Sequence, residues 1–535
     1  MFIKDIDMKI VNKYSLLVAL ALPVMSLTSC NEDWDSHYER SESVSNETVY
    51  QLIKEDPTLE RFGKMIDLAG YAELLNSSQT FTVWAPTSEA LKDVDLENLD
   101  EVKRLVGNHI SRFNVSTATP SDKGVRMYNG KVHYFDGATF GGVDLESSDV
   151  VAKNGVLHTL KAMIPYAYNL REYIDTHENT SMMAAFLKRY DEKVFDEQAS
   201  TPLDVDENGA TIYDSVMTSY NRLFQHPVYG LGDIEAEDSL FTMIIPDNLA
   251  WQEAYDKISP YFNVYNSDAA VADSIKEVQT SLAIINDLIY RQRIENPAGL
   301  SMVESTSHSE ISDVAGLFND AECIDASNGL IYLAPSINYN NVETWNKPIE
   351  VEAEEQIGRT PSVGSTIYTR TVATSNPYYS EISESRYIEV KPNAASRQPG
   401  VTFSIPNVLS GEYRIYVSFV PTSVDDITLS TDSTRVQFTL SYMNDNGKSK
   451  SESFKEDHYL TSPTKMTLIE VGTFVFPTSN YYDNLWLMDE LNDESDMNIT
   501  TTLLVMTNVS NKEYNNNVMS RSFRVDKVIL VPVQL

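Results

Sequence analysis

Two pairs of matching motifs constrain the fold of this chain more than any other feature of its sequence. FTVWAP at 81–86 returns as FTMIIP at 241–246, and each copy is followed by an Asn-Gly motif, NGVLHTL at 154–160 and NGLIYLA at 328–334. An apolar run that ends at proline is typical of a buried strand leaving its sheet, and Asn-Gly before β-prone residues is typical of a tight turn that feeds a strand. The first and second occurrences of each motif are separated by about the length of a domain. The sequence therefore predicts two copies of one α+β domain.

The first copy resembles a known family. FTVWAPTSEAL at 81–91, VGNHI at 106–110 and VAKNGVLHTLKAMIP at 151–165 are similar, in their order and spacing, to the signature motifs of fasciclin-like domains. The resemblance implies a fasciclin-like domain over residues 46–166. Fasciclin-like domains are known as adhesion modules and not as enzymes, so the resemblance also implies a binding role.

The second copy, residues 167–345, is more divergent. A Tyr-Arg pair at 290–291 stands where the first copy has Asn-His at 108–109, and its last motif has no equivalent of His158. The difference argues against a ligand chemistry that both copies share, whereas a shared fold is still expected. His158 has no second His, Cys or carboxylate at ligand spacing, so it is predicted to be a hydrogen-bonded structural residue.

The second copy also carries an inserted segment, residues 191–239, that the first copy lacks. Residues 204–209 imitate the first half of a calcium-binding EF-hand loop, but Ser215 stands where the bidentate Glu would be, so a hairpin turn at 208–209 is favoured. The later stretch 272–294 has apolar residues at helical spacing and is predicted to be an amphipathic helix. An insertion of this kind is where a repeated domain can change its partner.

The first 29 residues have the pattern of a secretory signal. Lys9 and Lys13 precede an apolar run of about 12 residues at 16–27, which is too short for a stable transmembrane helix. The run ends in Leu-Thr-Ser-Cys at 27–30, which resembles a bacterial lipobox and implies cleavage before Cys30 and lipid attachment to its thiol. A plain signal peptide with an incidental cysteine is the alternative. Acidic residues near the start leave open whether Met1 or Met8 begins the chain.

Residues 30–45 are predicted to be a lipidated tether. The acidic opening NEDWD at 31–35 resembles the surface-export signal of Bacteroidetes lipoproteins, and the alternative is a hydrated spacer beside the membrane. Both interpretations give a lipid-anchored protein of the cell envelope, and we expect the outer membrane. The export signal would also place the protein on the cell exterior.

The chain is strongly acidic and contains two cysteines. Its formal net charge is −37 at pH 7, so phosphate backbones repel it and nucleic acid is excluded as a partner. Polyanionic glycans are disfavoured for the same reason. Cys323 is the only cysteine besides Cys30, so the mature chain has no partner for an intramolecular disulfide once Cys30 is lipidated.

The periodicity of the sequence becomes almost purely two in residues 348–535. Residues 435–442 alternate between apolar and polar side chains without a break, and nine or ten such strands predict a β-sandwich. Three stretches together resemble a galactose-binding-like jelly roll of the kind that many carbohydrate-binding modules use: 349–355, 411–420 and 523–533. The predicted fold class is therefore α+β, with two tandem fasciclin-like domains followed by an all-β jelly-roll sandwich.

A sugar site on the sandwich needs flat aromatic faces beside carboxylate or amide groups. Two loop-like stretches combine these groups, and they supply the predicted glycan-binding residues: Tyr378, Tyr379, Tyr481, Tyr482, Asp483 and Trp486. The alternative is that Trp486 belongs to the core and that the tyrosines are ordinary surface residues. Glu352, Glu354 and Asp526 resemble positions that hold a structural calcium in some such modules, but no metal site and no cofactor is predicted.

The sequence carries no recognisable catalytic motif. HExxH, GxSxG, a phosphate loop and CxxC are all absent from it, so we expect a protein that is not an enzyme. The resemblances imply a cell-surface lipoprotein that binds a neutral polysaccharide or oligosaccharide, as an accessory of an outer-membrane Sus-like uptake system. The alternative is an adhesion or scaffolding protein whose domains bind other proteins.

Overall fold

The computed structural model describes residues 45–205, 211–338, 340–425, 433–481, 487 and 501–533. The predicted signal, Cys30 and all but the last residue of the predicted tether lie outside these residues. The described residues form two compact units. The first unit consists of the residues up to Asn129 together with His133–Pro165. The second consists of Gly130–Val132 together with the residues from Tyr166 onward. In the described part of the chain, no helix is long and apolar enough to cross a membrane.

A mixed sheet of seven strands organises the first unit, and its strands are β1 (Phe81–Pro86), β2 (Ile110–Ser111), β3 (Ser121–Arg126), β4 (Val132–Phe135), β5 (Thr139–Phe140), β6 (Val143–Ala152) and β7 (Gly155–Leu160). The helices are α1 (Val49–Glu55), α2 (Glu60–Ala69), α3 (Ala72–Asn76) and α4 (Leu99–Gly107). The strand order is β2-β1-β7-β6-β5-β4-β3. Strand β1 is buried at every position, as its apolar sequence predicts. Trp84 of β1 stacks on Phe140 with ring centroids 4.0 Å apart, in one of the unit's apolar clusters.

The first part of the second unit contains six helices and eight strands among the described residues. The helices are α5 (Leu170–Thr176), α6 (Ser181–Leu187), α7 (Arg222–Gln225), α8 (Asn248–Ile258), α9 (Ala269–Ile285) and α10 (Val314–Leu317). The strands are β8 (Asp191–Val205), β9 (Thr211–Asn221), β10 (Phe241–Pro246), β11 (Ile289–Tyr290), β12 (Val303–Glu304), β13 (Glu310–Ile311), β14 (Glu322–Ala326) and β15 (Gly329–Ala334). Four of the strands form one sheet in the order β11-β10-β15-β14, while β12 pairs with β13 and β8 with β9.

The structure can be compared with the predictions for the inserted segment and for the long helix after it. Strands β8 and β9 pair antiparallel as a hairpin, and the predicted turn at 208–209 lies outside the described residues. The prediction of one helix over 272–294 is wrong at its C-terminal end. Helix α9 ends at Ile285, and Ile289 pairs with Met243 in the sheet. A short strand of apolar residues continues the helical spacing by chance, so periodicity alone does not show where the helix ends.

The two motif pairs adopt the same strand arrangement. β1 pairs in parallel with β7, with Phe81 opposite Gly155, and β10 pairs in parallel with β15, with Phe241 opposite Gly329. Each glycine is also the first paired residue after a two-residue hairpin loop, which confirms the predicted turn feeding a strand. The glycines have φ angles of 154° and 150°, which L side chains rarely adopt. The repeat in the sequence is therefore a repeat of backbone geometry.

The asparagine before each glycine ties its turn to the helices. The side-chain amide of Asn154 donates to two backbone carbonyls at 2.9 and 2.8 Å, and its Oδ1 accepts the N–H of Val49 at the start of α1. Asn328 donates to two carbonyls at 2.8 and 3.2 Å and accepts the N–H of Leu170 at the start of α5. Both asparagines are buried, so these bonds satisfy groups that would otherwise lack water.

The C-terminal part of the second unit is a β-sandwich. Its strands are β16 (Ile349–Glu352), β17 (Arg359–Pro361), β18 (Ser365–Thr371), β19 (Arg386–Pro392), β20 (Gly400–Ser404), β21 (Gly411–Phe419), β22 (Val436–Met443), β23 (Ser449–Phe454), β24 (Thr467–Phe476), β25 (Thr502–Thr507) and β26 (Phe523–Pro532), with helix α11 (Asn511–Asn515) before the last. One sheet has the order β18-β19-β26-β21-β24, with β16 also paired to β26, and the other has β17-β20-β25-β22-β23. The predicted alternation in β22 is confirmed, because Val436, Phe438 and Leu440 are fully buried.

One large apolar core extends through both parts of the second unit. The 3-10 helix Ser259–Phe262 lies against the sandwich, where the ring of Phe262 meets Tyr481 edge-on at 5.5 Å. The N–H of Ser410 donates to the carbonyl of Tyr261 at 2.8 Å, and the N–H of Ser479 donates to that of Asn263 at 2.7 Å. The sandwich and the residues before it therefore share a packed junction within one unit.

Candidate functional site

Three of the predicted sugar-binding residues are described by the structure, and they divide between the two ends of the sandwich: Tyr378, Tyr379 and Tyr481. Tyr378 lies in the loop between β18 and β19, where its hydroxyl group donates to the carbonyl of Thr464 at 2.7 Å and lies 2.7 Å from the Oγ of Ser423. Its ring packs against a small apolar cluster. The neighbouring Tyr379 is 38% exposed. Tyr378 therefore holds loops together, while Tyr379 presents a ring to solvent.

Tyr481 lies at the opposite end of the sandwich. Strand β21 links the two ends: Gly411 at its start pairs with Phe476, and Phe419 at its end lies a few residues before Ser423. Nine strand residues span about 27 Å, so Tyr378 and Tyr481 do not share one surface. Tyr482, Asp483 and Trp486 lie outside the described residues.

A large cavity adjoins Tyr481, and its walls come from both parts of the second unit. Its volume is about 1600 Å³, and its lining residues lie between Tyr220 and Tyr481. The wall before the sandwich consists of the end of α7 and the turn after it, one face of α9, and the 304–309 loop. The sandwich wall includes Leu409, Tyr413 and Tyr481. Typical small-molecule sites have roughly 300–1,000 Å³, so this cavity has room for a larger ligand.

The turn after α7 places two aromatic rings at the cavity. The rings of His226 and Tyr229 stack with centroids 5.1 Å apart and an interplanar angle of 17°. The N–H groups of Val228 and Tyr229 both donate to Nδ1 of His226, at 3.3 and 3.1 Å. A Cβ atom on Gly230 would lie 2.4 Å from the carbonyl oxygen of Phe224, so the turn requires glycine there. These contacts hold Tyr229 in place although 60% of it is exposed.

Trp345 forms another part of the cavity wall. Its ring packs edge-on against Tyr261 at 5.0 Å, and only 9% of the residue is exposed. The indole N–H has no hydrogen-bond partner among the described residues, and neither has the hydroxyl group of Thr306, which also lines the cavity. Both atoms are buried from solvent, so they lie inside the wall and not on the surface that a bound molecule would touch.

Acidic groups outnumber basic ones around the cavity. Arg291 and Lys347 are the cationic lining residues, and the carboxylates belong to Asp233, Asp287, Glu304 and Glu350. Lys347 donates to the Oγ of Ser309 at 2.6 Å, and Asp287 accepts from the hydroxyl group of Ser305 at 2.6 Å. Polyanionic ligands are therefore disfavoured here, as the net charge of the whole chain also predicts.

Glu352, Glu354 and Asp526 lie near one another at the β16–β26 pair. The N–H of Ser383 donates to Asp526 at 2.9 Å, and its hydroxyl group donates to Glu352 at 2.7 Å. Glu354 instead faces Arg386, whose Nε lies 3.3 Å from Oε1. Burial raises the pKa of Asp526 to about 6 and also raises the pKa of Glu354. No group of three or more His, Cys, Asp or Glu side chains in the described ranges is placed to hold a metal ion.

His158 has the structural role that the sequence predicts. It is fully buried, its Nε2 lies 3.1 Å from the carbonyl oxygen of Val115, and its Nδ1 accepts the N–H of Asp149 at 3.3 Å. Its ring also stacks on Trp84 at 5.5 Å. Both ring nitrogens are therefore used in holding the fold.

Only one edge of the cavity is predicted by the sequence. The prediction includes Tyr481 and does not include His226, Tyr229 or Trp345. A signal was present in HPVYG at 226–230, where proline and glycine mark a turn and a tyrosine lies within it. Nothing local indicates that this turn faces residues more than 100 positions later in the sequence.

Residues 57–165 match the family model described as the Fasciclin domain. The chain therefore contains a fasciclin domain, and the resemblance predicted from the motifs is confirmed for this stretch. The match covers about a fifth of the chain, in the part that includes β1, β7 and His158. No curated protein matches the chain.

Solved structures that are similar to parts of the chain include a FAS1 domain pair from the insect cell adhesion molecule Fasciclin I. That pair is 12% identical, with a TM-score of 0.20, and the match covers 54% of this chain and 98% of the pair. The CBM22-1 xylan-binding domain from Paenibacillus barcinonensis Xyn10C is 9% identical, with a TM-score of 0.22 and coverage of 35% and 94%. A Paenibacillus xanthan lyase is 16% identical, with a TM-score of 0.22 and coverage of 38% and 15%. At such TM-scores these likenesses carry no argument about ligand or activity.

Proposed function

We propose that this chain is a non-enzymatic lipoprotein of the outer membrane that binds a neutral polysaccharide or oligosaccharide at the cell exterior. The observation that carries the proposal is the cavity of about 1600 Å³ in the second unit. It combines aromatic rings with hydroxyl, amide and carboxylate groups, which are the groups that recognise sugar faces and sugar hydroxyls. In this proposal the protein is an accessory of a Sus-like uptake system, the setting that its lipobox and fasciclin resemblances imply.

The proposal includes a specific domain organisation. Residues 167–345 are a second, divergent fasciclin-like domain with the insertion 191–239, and residues 348–535 are a jelly-roll sandwich. The support for the second domain is the geometry shared by the turns at Asn154 and Asn328, together with the parallel strand pairs that follow them. Only the first domain has a matching family model.

The proposed function is tested by binding to defined glycans. The chain from Asn31 onward, which lacks the predicted lipid, is applied to an array of neutral and anionic polysaccharides. We expect retention of at least one neutral polysaccharide and none of the anionic ones, because the cavity and the whole chain are acidic. Silence on every neutral polysaccharide would contradict the proposal.

Adhesion or scaffolding is the second candidate function, and the fasciclin domain at 57–165 favours it. Under this alternative the chain contacts other proteins and has no intrinsic affinity for glycans. Failure to bind any neutral polysaccharide, together with capture of a defined protein by the purified chain, would favour this alternative.

Replacing Cys30 with alanine is expected to release the protein from the membrane fraction, because the lipid is proposed to attach to that thiol. The matched control is Cys323→Ala, which removes the exposed cysteine of β14 and should leave the protein in the membrane fraction. Fractionation followed by a carbonate wash measures both. A Cys30→Ala protein that survives the wash in the membrane fraction would show that another element anchors it.

A further inference from the structure

The turn at 226–230 has features that a general description of the cavity does not explain. Tyr229 is 60% exposed and Val228 is 73% exposed, yet neither projects from a loosely held loop. Two backbone N–H groups are fixed on Nδ1 of His226, and the ring of Tyr229 is stacked on the imidazole. An exposed tyrosine ring is thus held at the cavity in one orientation.

We propose that this turn is the aromatic platform on which a neutral oligosaccharide stacks, and that Tyr229 determines the affinity of the cavity. The inference rests on the proposed function and names the residue and the ligand class. A pyranose ring has an apolar face of C–H groups that packs on an aromatic ring, and its hydroxyl groups need polar partners at the edges. A ring that is already oriented loses little conformational entropy when the sugar binds.

Other lining residues supply the remaining contacts. Asp233 and Glu304 bring carboxylate groups from the wall before the sandwich. Tyr481 and Leu409 contribute from the sandwich side. The volume of about 1600 Å³ exceeds that of an ordinary small-molecule site, so the cavity has room for a ligand longer than one sugar that touches the platform and the sandwich wall together. The ligand is therefore an uncharged oligosaccharide of several units.

The platform is also distinct from the aromatic residues at the far end of the sandwich. Tyr379 is also exposed, at 38%, but it lies about the length of strand β21 away from Tyr481. It therefore provides a matched control, because its loss removes an exposed tyrosine ring from the same unit without touching the cavity.

The test uses the chain from Asn31 onward and isothermal titration with five neutral hexasaccharides: xylohexaose, cellohexaose, maltohexaose, laminarihexaose and mannohexaose, each compared with its monosaccharide. We expect the wild type to bind at least one hexasaccharide more tightly than the monosaccharide. Tyr229→Ala should weaken that binding tenfold or more, whereas Tyr229→Phe, which keeps the ring, and Tyr379→Ala should stay within about threefold of wild type. Thermal midpoints should agree among all four proteins.

The possible failures can be distinguished. If the wild type binds a hexasaccharide and Tyr229→Ala binds it equally well, the platform is overturned while the proposed function stands. The same holds if Tyr379→Ala is the variant that loses binding, because the site would then lie at the other end of the sandwich. If the wild type binds none of the five hexasaccharides but is retained by a neutral polysaccharide on the array, the platform is overturned while the proposed function stands. If no neutral polysaccharide retains it either, both fail.

Discussion

Alanine at Gly155 is expected to destabilise the first unit by roughly 4 kcal/mol or more, a loss large enough to unfold many domains. A Cβ atom at this position would lie 1.8 Å from the carbonyl oxygen of Phe81 on the neighbouring strand, and φ is 154°. This carbonyl group belongs to the backbone of a buried parallel strand pair. It therefore cannot move aside as the end of a flexible side chain could. Gly329 meets Phe241 at the same 1.8 Å, so Gly329→Ala should destabilise the second unit in the same way.

The matched control for this prediction is Gly70→Ala. Gly70 ends helix α2 with a φ of 78°, and nothing lies within 4 Å of the position of its Cβ. Its replacement costs only the left-handed backbone conformation, about 1–2 kcal/mol. Denaturant unfolding compares the two variants. A Gly155→Ala protein that is as stable as Gly70→Ala would show that the two strands can separate without loss of stability.

Acidification from pH 7 to pH 4 is expected to destabilise the first unit through His109. The residue is buried, its Nδ1–H donates to the carbonyl of Leu105 at 2.8 Å, and its Nε2 accepts the N–H of Ile164 at 3.2 Å. Burial, with a smaller contribution from His133, lowers the pKa of His109 from 6.5 to about 4. A protonated ring would bury a charge and lose the bond from Ile164.

The direction of the effect follows from the lowered pKa. Between pH 6.5 and 4 the unfolded chain binds the proton more readily than the folded one, so this stabilisation is complete above pH 6.5 and is lost as the pH falls towards 4. The shift corresponds to about 3 kcal/mol in the free energy of unfolding. Hydrogen exchange of the amides in β1, followed by mass spectrometry, reports on this unit. The His109→Gln variant should show a flatter pH response, and a response parallel to that of wild type would contradict the role of His109.

The fasciclin domain could be predicted because its signals are local. Gly155 and Asn154 are adjacent in the sequence, and the apolar strand that they accompany is recognisable by itself. The same is true of β22, where strict alternation predicted which side chains are buried. Such features depend on the chemistry of a few neighbouring residues, and the tertiary structure preserves them.

Two strands of the sandwich could not be predicted in this way. Strand β23 has the sequence SKSESF, in which no apolar face is recognisable. It is the edge strand of its sheet, and five of its six residues are exposed. Strand β17 has only three residues and ends in proline. Each is a strand because of its neighbour: β23 pairs with β22, and β17 pairs with β20. Pairing with an existing sheet, rather than local propensity, decides such edges.

The sequence by itself determined the repeated motifs, the glycines that the strand pairs require, the acidic charge and the alternation of the sandwich strands. Each of these is a property of residues close together in the chain. Only the tertiary structure decided that Tyr378 and Tyr481 lie at opposite ends of the sandwich, and that Tyr229 and Tyr481 line the same cavity. The physical reason is that a cavity wall is assembled by packing, which brings together residues whose separation in the sequence carries no periodic signal.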